Sequence, residues 1–291
     1  MEAQPLDNLA EMGKKMTSTL TADSTNSQFD QYSKPAELLD WSVEKLTTEH
    51  IKQMERCNKY KKEDVRRHFD YIASNYEGLY NRAGWPDPKQ VADMVKEITK
   101  GKNPADVNII DFGCGTGLIG QELAVHGFTK VTGIDISPGM LEIASSKGVY
   151  TALEEVSLGD PDNFPNHFKN KFDVVVCAGL INNNHLDYKL FEEMIFALKQ
   201  GGHAVFAARF SYMGSFWYNE TLTEMESDRR FKLVKSAEFF KYDNLVESIG
   251  RFAKTPCKVF AYQNLCDEIN SWKKKKMFIG GFSAFPKEAD S

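Results

Sequence analysis

Asp111-Phe112-Gly113-Cys114-Gly115-Thr116-Gly117 limits what this chain can fold into more than any other stretch. It follows directly on a short apolar run, Val107 to Phe112, and leads into a helical pattern, Leu118 to His126, that Gly127 closes. Glycines let the backbone turn sharply and pass close to a bound molecule, and the helix start behind them presents free N–H groups. A packing turn between strand and helix needs one or two glycines; the alternate glycines 113, 115 and 117 exceed that need.

The loop opens a regular alternation. Lys130 to Ile136 predicts a second strand, and Ser137-Pro138 opens a helix that stops at Gly148. Val156 to Gly159 reads as a third strand and the apolar Phe172 to Ala178 as a fourth, buried on both faces. A helix over Asp187 to Lys199, with Phe191, Met194, Ile195 and Leu198 inward, leads to a fifth strand at His203 to Arg209. Phe231 to Tyr242 and Lys258 to Asn264 add a final pair at the far edge. The expected fold is α/β, a seven-stranded Rossmann-like sheet with an N-terminal helical extension.

Upstream, residues 1 to about 38 are polar, with few large apolar groups to offset the entropy of ordering. Trp41, Leu46, Ile51 and Met54, then Val65, Phe69, Ile72 and Tyr76, recur at helical intervals. Another helix is expected from Asp87-Pro88, with Asp87 as its cap and Val91, Met94, Val95 and Ile98 as its buried stripe. The expected organisation is an extension over residues 1–60, partly disordered or helical, a domain over 61–266 and a tail over 267–291.

Two ligands suit such a loop. Gly115 to Gly120 fits the dinucleotide pattern GxGxxG, and Asp135 stands about 20 residues on. Asp111 argues the other way, because a carboxylate beside the loop repels a pyrophosphate, whereas S-adenosylmethionine brings an ammonium and a sulfonium and no phosphate. Asp135 is placed to accept hydrogen bonds from ribose hydroxyls, or to cap the following helix. Asp160, in Leu158-Gly159-Asp160-Pro161, is placed to accept from an adenine amino group, or to make an ordinary Asp-Pro turn.

A formal charge of -5 offers no global attraction for nucleic acid or anionic membranes, so nucleic acid is not an expected partner. Cys57, Cys114, Cys177, Cys257 and Cys266 show no CxxC pair and no zinc-ligand spacing; free thiols and no metal are expected. No apolar stretch is long enough to span a bilayer, and Met1 to Ala10 lacks the features of a targeting segment, which makes the cytoplasm the expected compartment.

From roughly Val65 to Asn264 the chain resembles class I S-adenosylmethionine-dependent methyltransferases. VNIIDFGCGTG, VTGIDISPGMLEIA, SLGDP, FDVVVCAG and LKQGGHAVFAAR carry the resemblance, in the family's order. GCGTGLIGQELAVHGF with HFDYIASNY upstream is most similar to the Williams–Beuren region methyltransferase-like proteins. By position, the resemblance implies that Asp111, Gly113, Gly115 and Gly117 shape the methionine end of an S-adenosylmethionine site and that Asp135 takes the ribose. It implies Ile136 and Met140 beside adenine, Asp160 at its amino group, Ala178 and Gly179 at the sulfonium, and Tyr71 or Tyr76 as a cover over the donor; Cys114 is expected to pack rather than react. CAGLINNNH lacks the [DN]PP[YFW] of amino-nitrogen methylation and the Pro-Cys of cytosine methylation, which leaves a small molecule or a protein side chain as acceptor.

Alignment of the acceptor and exclusion of water can supply about 7–11 kcal/mol of the barrier to methyl transfer. If a base or clamp is needed, the candidates are His185, Arg209 and Tyr212; His185 with Asn182 to Asn184 also reads as a surface turn. Phe216, Trp217 and Tyr218 could wall an acceptor pocket or pack as a lid, and the basic run Lys273 to Lys276 reads as a solvated face. The competing expectations are a scaffold subunit that keeps the fold and assembles through its N-terminal extension, and a nicotinamide-dependent oxidoreductase.

Overall fold

Ile109 and Ile110 are neighbours in the first strand and both are fully buried, yet they lie in two separate cores. Successive side chains of a strand point to opposite faces, so apolar neighbours require a sheet covered on both sides. The computed structural model describes residues 62–181, 186, 189–213, 216–242 and 254–266, without the side chains of 62, 63 and 212–219. Strands β1 (Asn108–Phe112), β2 (Lys130–Asp135), β3 (Ala152–Glu155), β4 (Phe172–Cys177), β5 (Leu198–Arg209), β6 (Phe231–Lys241) and β7 (Thr255–Asn264) form one sheet in the order β3-β2-β1-β4-β5-β7-β6. The first five run parallel, and β7 is antiparallel to both β5 and β6. Strand order reverses between β1 and β4, and the C-terminal ends of strands at such a reversal leave a crevice for a ligand.

The helices are α1 (Lys62–Ala83), α2 (Asp87–Ile98), α3 (Leu118–Val125), α4 (Pro138–Ser146), α5 (Lys189–Ala197), α6 (Phe210–Met213) and α7 (Phe216–Ser227). Val91 and Val95 of α2 and Ile119 and Leu123 of α3 cover one face of the sheet, against Val131 and Val205. Phe191 and Met194 of α5 cover the other, against Phe112 and Phe206. Each such side chain contributes about 1.5–3 kcal/mol on burial. Among the described residues no helix is long and apolar enough to cross a membrane.

Helix α1 lies on α4 rather than on the sheet. Ile72 and Ala73 cover Met140, and Gly139 makes the approach possible, since a Cβ there would stand 3.3 Å from the Asp70 backbone. Asp70 Oδ1 accepts from the Ser137 hydroxyl at 2.6 Å and from the Gly139 N–H at 3.0 Å, so a carboxylate of α1 helps to cap α4.

Three expectations need correction. The third strand is Ala152–Glu155, not Val156 to Gly159. Val156 and Leu158 are apolar because the chain turns there into the core, while the strand itself sits at the sheet edge, where Glu154 and Glu155 are tolerated. Leu198 and Lys199 belong to β5, whose pairing with β4 shifts register between Phe172 and Val174, so the Leu198 to Gly202 segment is an irregular first turn of the strand, not the end of a helix. Asp87 does not cap α2: Pro86 holds that position without a side-chain bond, and Asp87 is buried in the first turn with Oδ2 3.1 Å from Lys241 Nζ. Trp41, Leu46, Ile51 and Met54 lie outside the described residues.

Candidate functional site

The loop expected to bind a ligand forms at the C-terminal end of β1. Gly113, Gly115 and Gly117 have φ of 64°, 53° and 92°, left-handed values that L side chains rarely adopt. The Cys114 N–H donates to the Ile134 carbonyl at 2.9 Å and ties the loop to β2. A Cβ on Gly113 would strike the Leu180 side chain at 2.6 Å, whereas one on Gly115 would meet nothing within 4 Å. Gly115 therefore faces open space.

Two buried carboxylates stand near the loop, Asp135 bonded to Gly115 and Asp111 close to Asp135. Asp135, at the end of β2, accepts the Gly115 N–H on Oδ2 and the Ser137 N–H on Oδ1, both at 2.9 Å. Burial pushes its carboxyl above the usual carboxylate range, although the backbone donors oppose the rise. Asp111 is fully buried; its Oδ2 accepts from the Tyr150 hydroxyl at 2.8 Å, and its Oδ1 has no partner among the described residues. Burial pushes this carboxyl up to about 7, the Tyr150 hydrogen bond opposes the shift and nearby Asp135 adds to it. Burial also raises the Cys114 thiol far above its usual range, which leaves it a packing group rather than a thiolate.

The remaining expected site residues are distributed around this centre. Ile136 is half-buried just beyond β2, and Met140 is buried beneath α1. Asp160 lies on the loop beyond β3, where its carbonyl accepts the Asn163 N–H at 3.0 Å in a turn and its carboxylate accepts from Asn163 Nδ2 at 2.8 Å. Ala178 is buried after β4, and a Cβ on Gly179 would come 3.3 Å from the Trp85 ring. Tyr76 is half-buried and packs on Tyr80 at 4.4 Å and edge-on to Trp85 at 6.2 Å, whereas Tyr71 is 41% exposed. Arg209 ends β5, buried, 3.4 Å from the Tyr242 hydroxyl and beside the Lys241 ammonium rather than in the glycine loop. His185, Asn182 to Asn184 and Lys273 to Lys276 lie outside the described residues, as do the side chains of Tyr212, Phe216, Trp217 and Tyr218. Among the described residues no group of three or more His, Cys, Asp or Glu could hold a metal ion.

Three contributors are not marked by any motif. Tyr150 holds Asp111; Glu193, fully buried on α5, accepts the N–H groups of Gly159 and Asp160 at 2.9 and 2.8 Å; Trp85 backs Gly179. Only Tyr150 leaves a trace in the sequence: Gly120 and Gly133 are glycines inside a helix and a strand, where they signal a close approach by something else.

Comparison with known proteins agrees with this geometry. Residues 109–202 match a family model described as a methyltransferase domain. Methyltransferase-like protein 27 of Homo sapiens is 31% identical over 155 residues, which is 53% of this chain and 61% of that protein. Demethylmenaquinone methyltransferase of Staphylococcus aureus is 35% identical over 155 residues, 51% of this chain and 61% of that one, and the EEF1A lysine methyltransferase 2 of Mus musculus is 29% identical over 99 residues, 32% and 41% respectively. The aligned region thus spans less than two thirds of these relatives' lengths. In structure, the Haloferax volcanii complex of the Trm112 methyltransferase activator with its methyltransferase matches with a TM-score of 0.52 at 16% identity, over 70% of this chain and 99% of that one. The fold is that of the class I methyltransferases. Over residues 109–202 the chain carries a methyltransferase domain.

Proposed function

We propose that this protein is an S-adenosylmethionine-dependent methyltransferase that acts on a small molecule or a protein side chain. The observation that carries the reading is a pair of neighbouring buried carboxylates at the glycine loop, Asp135 on the N–H of the open Gly115 and Asp111 with its Oδ1 unpartnered. Two buried carboxylates around a glycine loop favour a cationic ligand and disfavour a pyrophosphate, which separates the methyl donor from a dinucleotide. The donor supplies a methyl group already activated by positive sulfur.

In this reading Asp111, Gly113, Gly115 and Gly117 hold the methionine end. Asp135 receives the ribose hydroxyls on lone pairs that its backbone donors leave free. Ile136 and Asp160 border adenine with Met140 behind them, Ala178 and Gly179 border the sulfonium, and Tyr76 covers it. Arg209 is reassigned: its burial beside Lys241 and Tyr242 suits a structural role at the sheet end better than an anion clamp. The methyltransferase domain would run over 61–266, between an extension at 1–60 that serves protein assembly and a tail at 267–291, and would work in the cytoplasm.

The acceptor is tested by incubating the full chain with methyl-labelled donor and pools of metabolites, proteins and nucleic acids. Label should enter the metabolite or protein fraction and stay out of RNA and DNA. Stoichiometric, salt-sensitive labelling of nucleic acid alone would contradict the acceptor class.

A further inference from the structure

Gly117, Gly120 and Gly133 share one neighbour. A Cβ on Gly120 would lie 2.5 Å from Tyr150 Cζ, one on Gly133 3.0 Å from Tyr150 Cδ1, and one on Gly117 3.0 Å from Tyr150 Cε2. A Cβ at Gly120 is excluded by the ring, and those at Gly117 and Gly133 would crowd it, the latter after Leu153 and Cys114, so the three positions line a slot for one aromatic ring, which enters from the connection between α4 and β3. Gly120, the last glycine of the GxGxxG pattern, is thereby explained by an internal tyrosine, with no dinucleotide needed.

The ring's polar end is as constrained as its body. The Tyr150 oxygen accepts the Gly120 N–H at 3.2 Å and donates its single proton to Asp111 Oδ2 at 2.8 Å. A hydrogen bond to one oxygen restricts the rotation of the carboxylate, and the second oxygen is the one left buried without a partner.

We propose that Tyr150 is a positioning residue of the donor site: its hydroxyl holds Asp111 so that Oδ1 faces the donor's ammonium, and it keeps the carboxylate in the charged form which that ammonium requires. The inference rests on the donor reading above and adds a residue to it. The groups that face Asp111 are Tyr150, Asp135 from β2, Cys114 from the loop and Cys177 from β4. Burial raises both thiols and the Tyr150 hydroxyl, so these three stay protonated and neutral near pH 7. Asp111, lifted by burial to about 7, therefore titrates where donor binding is measured, and the hydrogen bond from Tyr150 is what opposes the lift.

Tyr150→Phe keeps the ring in its slot and removes the hydroxyl, and with it both the proton donated to Asp111 and the acceptor of the Gly120 N–H. Donor affinity is measured by calorimetry with S-adenosylmethionine for wild type and variant from pH 6 to 8; the donor's own titration cancels in the ratio. If losing the hydrogen bond raises Asp111 by about one unit, the variant should bind about tenfold more weakly at pH 6 and less than about twofold more weakly at pH 8. In an Asp111→Asn background, where that carboxyl no longer titrates, Tyr150→Phe should lose that pH-dependent penalty. A penalty constant across the range, or one that persists unchanged in the Asp111→Asn background, marks mere packing and overturns the inference while leaving the donor reading intact. Failure of the wild type to bind donor at any pH overturns the donor reading itself, and this inference with it.

Discussion

Asp87→Ala should lower the stability of the protein by about 3–5 kcal/mol, the range seen when one partner of a buried ion pair is removed. Asp87 is 1% exposed and Lys241 5% exposed, and the two meet at 3.1 Å where the start of α2 passes the end of β6. Without the carboxylate, the Lys241 ammonium stays buried beside the Arg209 guanidinium. Burial on its own pushes the ammonium's pKa down, but Asp87, Tyr242 and Cys257 together outweigh it, so the net shift is upward. A raised lysine contributes stability that is present below its unfolded pKa and is lost as pH rises through the folded one, so on the lysine's side the pair should act undiminished at neutral pH and fail in strong alkali. The loss is read in urea or thermal melts, as a fall of about 6–20 °C in Tm for a domain of this size. Asp87→Ala with Lys241→Met should recover a substantial part, because the uncompensated charge is then gone. A loss below about 1 kcal/mol in the single variant would mean that water reaches the pair and screens it.

Asp135→Ala should abolish donor binding in the micromolar range, weakening it by about a hundredfold or more. Its carboxylate does two jobs: it accepts the Gly115 and Ser137 N–H groups at 2.9 Å, and it is the group proposed to receive the ribose. Hydrogen bonds to a charged group are worth about 1.5–3 kcal/mol each, so losing those to the ribose alone accounts for that factor. The protein without donor should also lose about 1–3 kcal/mol, since the two N–H groups are left without their acceptor. Asp135→Asn, which keeps an acceptor for one of them, should fold better while still binding poorly. In wild type, donor at a hundred times its dissociation constant should add about 2.7 kcal/mol to stability, and in Asp135→Ala this increment should fall to about 0.4 kcal/mol or less at the same concentration. An undiminished increment would remove Asp135 from the site.

Those parts of the fold that follow from local rules are legible in the sequence alone. Glycine turns after apolar strands announce β1 and β4, Ser137-Pro138 announces the end of β2, and the Gly115 N–H meets Asp135, with Asp111 close by. The parts that are not legible depend on tertiary neighbours. Ala152–Glu155 becomes a strand because β2 pairs with it at an exposed edge, in spite of a composition that argues against one, and the more strand-like Val156 to Leu158 is apolar for the sake of the core. Asp87 has the sequence of a helix cap, but Lys241, more than 150 residues away, takes its carboxylate. Tyr150 has no motif of its own; its place shows only as missing Cβ atoms at Gly117, Gly120 and Gly133.

The central claim is that the Asp111 to Gly117 loop binds a cationic methyl donor, and calorimetry on the full chain tests it most directly, with S-adenosylmethionine, its demethylated product and NAD titrated separately at pH 7.5. The account predicts micromolar, one-to-one binding of S-adenosylmethionine and of its product, and no binding of NAD, whose pyrophosphate would face Asp111 and Asp135. Micromolar binding of NAD with none of S-adenosylmethionine would contradict it.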